Sequence, residues 1–227
     1  MGKSALIVVD LQNDFCEGGE LAVPGANAEY TKKIVEFINE TSKYEYESLS
    51  EWLVPGTRCN VLGKNRPKVD YTVFTNDWHP DDHKFFADEN NEALSQDEDG
   101  NTFWPKHCVQ FSWGSENTVD EELSYQGAGI INIYKGVNKD VDSYSAFIEN
   151  DKITHTGLHQ QLQYLGVTDL TVIGLALDYC VKFTVLDALN LGYNVTLIPE
   201  LCRSIGDADA AIAEMVAAGA KIEKIER

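Results

Sequence analysis

Asp10 closes the apolar run Ala5-Leu6-Ile7-Val8-Val9, and Lys135 closes Gly129-Ile130-Ile131-Asn132-Ile133-Tyr134. Cys180 follows the run Leu170-Thr171-Val172-Ile173-Gly174 by way of Leu175-Ala176-Leu177-Asp178-Tyr179. Brought together, a carboxylate, an ammonium and a thiol can run covalent chemistry. The carboxylate takes the thiol proton, and the ammonium stabilises the thiolate. A fourth run, Tyr71-Thr72-Val73-Phe74-Thr75, leads into Asn76-Asp77-Trp78-His79. In extended chain, residues i and i+2 point the same way, so Asp77 and His79 could reach one ion. His107, within Trp104-Pro105-Lys106-His107-Cys108, could add a third ligand. Imidazole and carboxylate suit zinc, iron or manganese, and three protein ligands with open positions make a catalytic type of site. His83 is a further candidate, ranked below His107.

Each feature has a plainer reading. An Asp after a strand is often a turn residue. A lone Cys is usually packing, and a Lys beside a strand is usually solvated. With five His in the chain, an Asp-x-His pair arises easily by chance. What favours chemistry is the shared position, since open parallel α/β sheets bind ligands at the carboxyl ends of their strands. Cys180 is also expected in the first turn of a helix, where the dipole lowers a thiol pKa. His155 and His159 stand at i, i+4 on an expected helix, but no Glu follows His155, so this is not a zincin motif. Cys16, Cys59, Cys108 and Cys202 are expected to be structural.

The elements that must position these residues follow from periodicity. Strands are expected near 5–9, 71–76, 129–134, 170–174, 194–198 and 220–225. Helices are expected near 26–41, 155–165, 179–191 and 207–218, the first with an Ile34/Phe37/Ile38 stripe. Strand–helix–strand units of this length require parallel pairing with right-handed crossovers. The expected fold class is α/β: one doubly wound, Rossmann-like domain over 1–227, with a mainly parallel six-stranded sheet flanked by helices. Residues 42–69 read as an insertion with a short helix near Tyr46–Leu53. Residues 80–120 read as a long irregular loop, the kind that is often functional or a lid.

A formal charge of −19 and a pI near 4.5 argue against nucleic acid, whose phosphates need clustered Lys and Arg. No basic amphipathic stretch or long apolar run points to a membrane. Five cysteines without C-x-x-C spacing suggest a reducing compartment. A strand starting directly after Met1-Gly2-Lys3 suggests no leader, so the expected location is the cytoplasm. A nucleotide binder of this fold would need a Gly-rich loop after the first strand. Leu11-Gln12-Asn13-Asp14-Phe15 is bulky and acidic instead.

Taken together, five blocks in order resemble the isochorismatase-like cysteine hydrolases, and within them the nicotinamidase/pyrazinamidase group. The blocks are Val8 to Phe15, Asn76 to Pro80, Trp104 to Val109, Tyr134 to Gly136 and Gly174 to Val181. Isochorismatases and carbamoylsarcosine amidases of the same fold are not expected to carry the full Asp77, His79, His107 set. The resemblance implies a metal-dependent amidohydrolase that cleaves nicotinamide to nicotinate and ammonia in NAD salvage. It implies a catalytic Asp10, Lys135 and Cys180. It implies a divalent metal, zinc first and iron or manganese as alternatives, on Asp77, His79 and His107, with His83 as a weaker fourth ligand. Phe15, Trp104 and Tyr179 would line the ring pocket. Leu175-Ala176 would be cis, with the Ala176 and Cys180 N–H groups holding the oxyanion. The partner implied is the small-molecule substrate, with homo-oligomers as an option. Rival readings are a hydrolase of another small amide and a catalytically silent binding protein. Segments 42–69 and 88–101 are longer than in a compact bacterial member.

Overall fold

A computed structural model describes residues 2–41, 68–119 and 129–225. The expected helix near Tyr46–Leu53, most of the 42–69 insertion and Cys59 lie outside the described residues. Six strands form one all-parallel sheet: β1 (Lys3–Val9), β2 (Tyr71–Asp77), β3 (Ile130–Lys135), β4 (Val167–Gly174), β5 (Asn194–Cys202) and β6 (Lys221–Ile222). Their order is β3-β2-β1-β4-β5-β6. That is the doubly wound order, and its topological switch point falls between β1 and β4.

The helices are α1 (Ala28–Thr41), α2 (Leu158–Leu165), α3 (Lys182–Asn190) and α4 (Ala208–Ala218). β1 is buried on both faces, which is why it reads as an unbroken apolar run. Its alternate residues feed two cores. Leu6 and Val8 meet Tyr30, Ile34 and Ile38 of α1. Ala5, Ile7 and Val9 join the core that holds Leu162, Val185 and Met215 of the other three helices. No described helix is long and apolar enough to cross a membrane.

Several boundaries differ from the sequence reading. α2 begins at Leu158 because Gly157 takes a left-handed turn at φ 90°. His155 therefore lies outside the helix, in an isolated bridge with Ile148. The expected i, i+4 histidine face does not form. β5 runs on to Cys202 through a break in register opposite Val172 and Gly174. Pro199, which has no N–H to give a ladder, falls in that stretch. β6 is only two residues long. Gly174 ends β4 at φ 122°, and a Cβ there would meet the Val9 carbonyl oxygen at 2.2 Å. Only glycine lets β4 close on β1 where the site begins.

Candidate active site

Asp10, Asp77 and Lys135 stand at the carboxyl ends of β1, β2 and β3, and Cys180 follows β4. The β2–β3 register pairs Asp77 with Lys135 directly. Lys135 is fully buried, and its ammonium gathers the others. Nζ lies 2.9 Å from Asp10 Oδ2 and 3.5 Å from Cys180 Sγ. It also bonds Asp77 Oδ1 and donates to the Ser143 carbonyl at 3.3 Å. Thr75 Oγ1 donates to Asp10 Oδ1 at 2.6 Å. Asp10 Oδ2 has no hydrogen-bond donor among the described residues beyond this ion pair, so it retains capacity for a proton.

Burial and neighbouring charge set the protonation of this group. Burial pushes the Lys135 ammonium down, but the charges of Asp10 and Asp77 outweigh it and hold the pKa well above the ordinary lysine value. Burial pushes Asp77 up, yet Lys135 and His79 hold its carboxyl well below the usual range. Asp10 ends up raised: burial dominates and Asp77 adds to it, while Lys135 and Thr75 oppose. A buried carboxyl poised upward suits a group that takes and returns a proton.

Cys180 departs from expectation. It sits in a π turn, Leu177–Val181, ahead of α3, rather than in the first turn of an α-helix. Burial pushes its thiol well above the ordinary value, and the Asp10 and Asp77 carboxylates add to this against Lys135. Burial thus favours the thiol over the thiolate form of Cys180.

Beside this group, one ligand atom each of Asp77, His79 and His107 lie within 4.8 Å of one another, all buried. Asp77 Oδ2 is 3.6 Å from His79 Nε2 and 3.8 Å from His107 Nε2. The other ring nitrogens meet carbonyls: His79 Nδ1 donates to Gly136 at 3.1 Å, and His107 Nδ1 donates to Pro105 at 2.6 Å. A carbonyl can only accept, so Nδ1 carries a proton in each ring, and Nε2 is the nitrogen that faces Asp77 and is left to bind an ion. This is the outer-shell arrangement that orients metal-ligating histidines, so the donor set fits a divalent ion. Asp10, Asp77 and Cys180 form a second cluster of donor atoms, but the Lys135 ammonium already occupies the cation position there. The His83 ring lies 4.5 Å from that of His79, but His83 is not among the three clustered donors. Its Nε2 meets the Val141 carbonyl at 3.2 Å, and its Nδ1 accepts from Phe85 N–H at 3.4 Å. Both ring nitrogens therefore have backbone partners.

The sequence reading gave no role to several residues that hold these groups. Gln12 is fully buried and grips the Asp77 peptide from both sides. Its Nε2 donates to the Asp77 and Ser115 carbonyls at 2.8 and 2.9 Å, and its Oε1 accepts from Asp77 N–H at 2.8 Å. Asp14 Oδ2 accepts from Cys108 N–H at 2.6 Å and so fixes the backbone next to His107. Gly136 has φ 64°, and a Cβ there would sit 2.4 Å from His79 Cε1. The available signal was polar side chains immediately after a fully apolar strand, where an exposed turn would be the ordinary case.

A cleft of about 340 Å³, counted with its open mouth, adjoins Cys180, Asp77 and His107. Phe15, Trp104, Ala176 and Tyr179, the expected pocket residues, all line it. Trp104 meets Tyr179 edge-on at 4.9 Å and donates from Nε1 to the Tyr144 hydroxyl at 3.2 Å. Phe15 lies 5.3 Å from the His107 ring. The Leu175–Ala176 peptide is cis. The arrangement combines an acceptor, a thiol, an ammonium, a metal-type donor set and an aromatic slot in one place.

The isochorismatase domain model matches residues 4–227. The nicotinamidase of Escherichia coli (strain K12) is 40% identical over 230 residues, covering 98% of this chain and 95% of the relative. The pyrazinamidase of Pyrococcus horikoshii in complex with zinc has a TM-score of 0.71 at 30% identity, covering 98% of this chain and 99% of that one. The L. infantum protein PnC1 in complex with nicotinate also has a TM-score of 0.71 at 30% identity, covering 98% of this chain and 93% of that one. The chain belongs to the isochorismatase-like cysteine hydrolases, in their nicotinamidase/pyrazinamidase group.

Proposed function

We propose that this protein hydrolyses nicotinamide to nicotinate and ammonia through a thioester on Cys180. The observation that carries the reading is the buried Lys135 ammonium. It touches Asp10, Asp77 and Cys180 at once, beside the Asp77, His79, His107 donor set. The relatives named above, one of them holding nicotinate, support the substrate.

Amide resonance makes the carbonyl carbon a poor electrophile and nitrogen a poor leaving group. A covalent route divides that barrier in two. Asp10 Oδ2 takes the Cys180 proton, and Sγ bonds the carboxamide carbon. The carbonyl electron pair moves to oxygen, where the N–H groups of Ala176 and Cys180 receive it. Such donors are typically worth about 3–4 kcal/mol each. Asp10 then gives its proton to the amide nitrogen, the C–N bond breaks, and ammonia leaves a thioester. Water attacks the thioester, Asp10 takes a proton from it, and the C–S bond breaks. The Asp10 proton returns to Sγ, and the nicotinic acid formed departs and loses its remaining proton to solvent as nicotinate. Lys135 stays charged throughout and offsets the negative charge that moves between Asp10 and Sγ.

Asp77, His79 and His107 would hold a divalent ion, with zinc the first candidate since the Pyrococcus relative holds it. When bound, that ion supplies a Lewis-acid position for the pyridine nitrogen and so fixes the ring. Benzamide has the same ring shape and amide but lacks this nitrogen. Its kcat/KM is expected to be lower than that of nicotinamide by roughly 100-fold or more, because the pocket then leaves a polar group unpaired. Mass analysis of the products checks both points. No nicotinate from folded, metal-loaded protein would sink the substrate assignment, and equal turnover of benzamide would sink the ring-nitrogen contact.

The Gly136→Ala variant tests the ligand set from a residue that touches no ion. The added methyl must displace His79, whose Nδ1 is bonded to the same residue's carbonyl. Outer-shell changes typically weaken metal affinity about 10–100-fold. Competition with a chelator, on protein shown to be folded by circular dichroism, measures this. An unchanged affinity would mean that His79 is not a ligand.

A further inference from the structure

Two cleft-lining side chains, Leu21 and Ile205, have no role in the chemistry above. Leu21 comes from the loop after β1, and Ile205 comes from the loop after β5. Both are half-buried, and both line the cleft that holds Cys180. They lie on opposite sides of the switch point, so the sheet alone does not fix their separation.

Side chains fix it instead. Asp178, two residues before Cys180, spends both carboxylate oxygens on the Ile205 loop. Oδ1 accepts from Ile205 N–H at 3.1 Å, and Oδ2 accepts from Gly206 N–H at 2.6 Å. Leu177 N–H donates to the Arg203 carbonyl at 2.7 Å, tying the same two segments a second time. Arg203 then spans the gap to the other loop. Its Nε donates to the Gly25 carbonyl at 3.2 Å, and its guanidinium lies 4.6 Å from the centre of the buried Tyr30 ring. The Gly25 loop is held from within by Leu21 N–H to Asp14 O at 3.0 Å and Val23 N–H to Phe15 O at 2.9 Å.

We infer that Leu21 and Ile205 form the wall that limits ring substituents on the substrate, and that Asp178 and Arg203 are positioning residues that set its distance from Cys180. The inference rests on the amide-hydrolase reading above and adds its size limit. Chemical class follows from the wall itself. Two aliphatic side chains offer a flat aromatic ring dispersion contact but no hydrogen bond. They admit an unsubstituted ring and reject one carrying an alkyl or sugar substituent at that edge.

The test compares nicotinamide with nicotinamides methylated at each ring carbon in turn. In the Ile205→Ala variant, kcat/KM for at least one methylated amide should rise relative to nicotinamide by about tenfold or more, the usual value of making room for one methyl group. The change should appear in KM more than in kcat, because the wall does not touch the reacting atoms. Asp178→Ala should relax discrimination towards the same methylated amide, and Asp178→Asn should fall between, since its one oxygen can accept from only one of the two N–H groups. Hydrogen exchange at Ile205 and Gly206 should speed up in Asp178→Ala. Ratios within about twofold of the parent protein for every methylated amide in Ile205→Ala would overturn the wall. A relaxed Ile205→Ala with an unaltered Asp178→Ala would overturn the positioning role alone. A parent protein that turns over none of these amides fails the earlier reading instead, and exchange at Ile205 and Gly206 that is unchanged or slowed in Asp178→Ala then overturns the clamp.

Discussion

Replacing Cys180 with alanine should lower kcat for nicotinamide hydrolysis by roughly 10⁴-fold or more, with no loss of fold or of bound metal. Removing a nucleophile from a cooperating set typically costs that much, because the remaining groups have nothing to activate. The structure explains why the loss should be so confined. Sγ contributes one contact, at 3.5 Å, to an ammonium that keeps Asp10, Asp77 and the Ser143 carbonyl. None of the three donor residues Asp77, His79 and His107 bonds Cys180 in the structure. Elemental analysis and circular dichroism beside the rate assay check the separation. Appreciable turnover by the variant would take the thiol out of the mechanism.

Asp10→Asn carries the second large effect and a sign that distinguishes roles. Asparagine keeps the shape and can still accept from Thr75 Oγ1, but it cannot take the thiol proton. General base–acid catalysis is typically worth about 10²–10⁴-fold, so a loss of roughly 10³-fold in kcat is expected. The Asp10 charge is one of the causes that push the Cys180 pKa up, after burial itself. Removing it should therefore lower that pKa and move the pH profile of Cys180 alkylation to lower pH. The variant would have a more acidic thiol and a slower reaction. Cys16, Cys108 and Cys202 are buried thiols, also shifted upward by burial, so peptide mapping can isolate the Cys180 signal. Activity within tenfold of the parent would mean that Asp10 serves only to orient Lys135.

How much of this was legible depended on whether the information was local. β1, β2, β3 and β4 announced themselves because buried parallel strands read as continuous apolar runs. The residues at their ends could then be placed on one edge without knowing any contact. Roles that depend on distant partners stayed hidden. Gln12 and the Asp77 peptide it grips are 65 residues apart, and Asp14 and the Cys108 N–H are 94 apart. Nothing near either residue marks it as a buried brace. Gly136 stands next to Lys135 in the chain, yet its need for φ 64° and its fit against His79 are tertiary facts.

The corrections have the same origin. Spacing predicts a helix that includes His155, but Gly157 takes a left-handed turn and starts the helix later. The upward shift of Cys180 reflects burial among two carboxylates, which helix position alone does not reveal.

The measurement that tests the central claim most directly is ammonia release from nicotinamide by the purified protein, before and after chelation, read beside metal analysis. The account predicts that release falls as the metal is removed and returns when zinc, iron or manganese is added back. Full release from protein shown to be metal-free, or none from folded protein carrying a full metal complement, would contradict it.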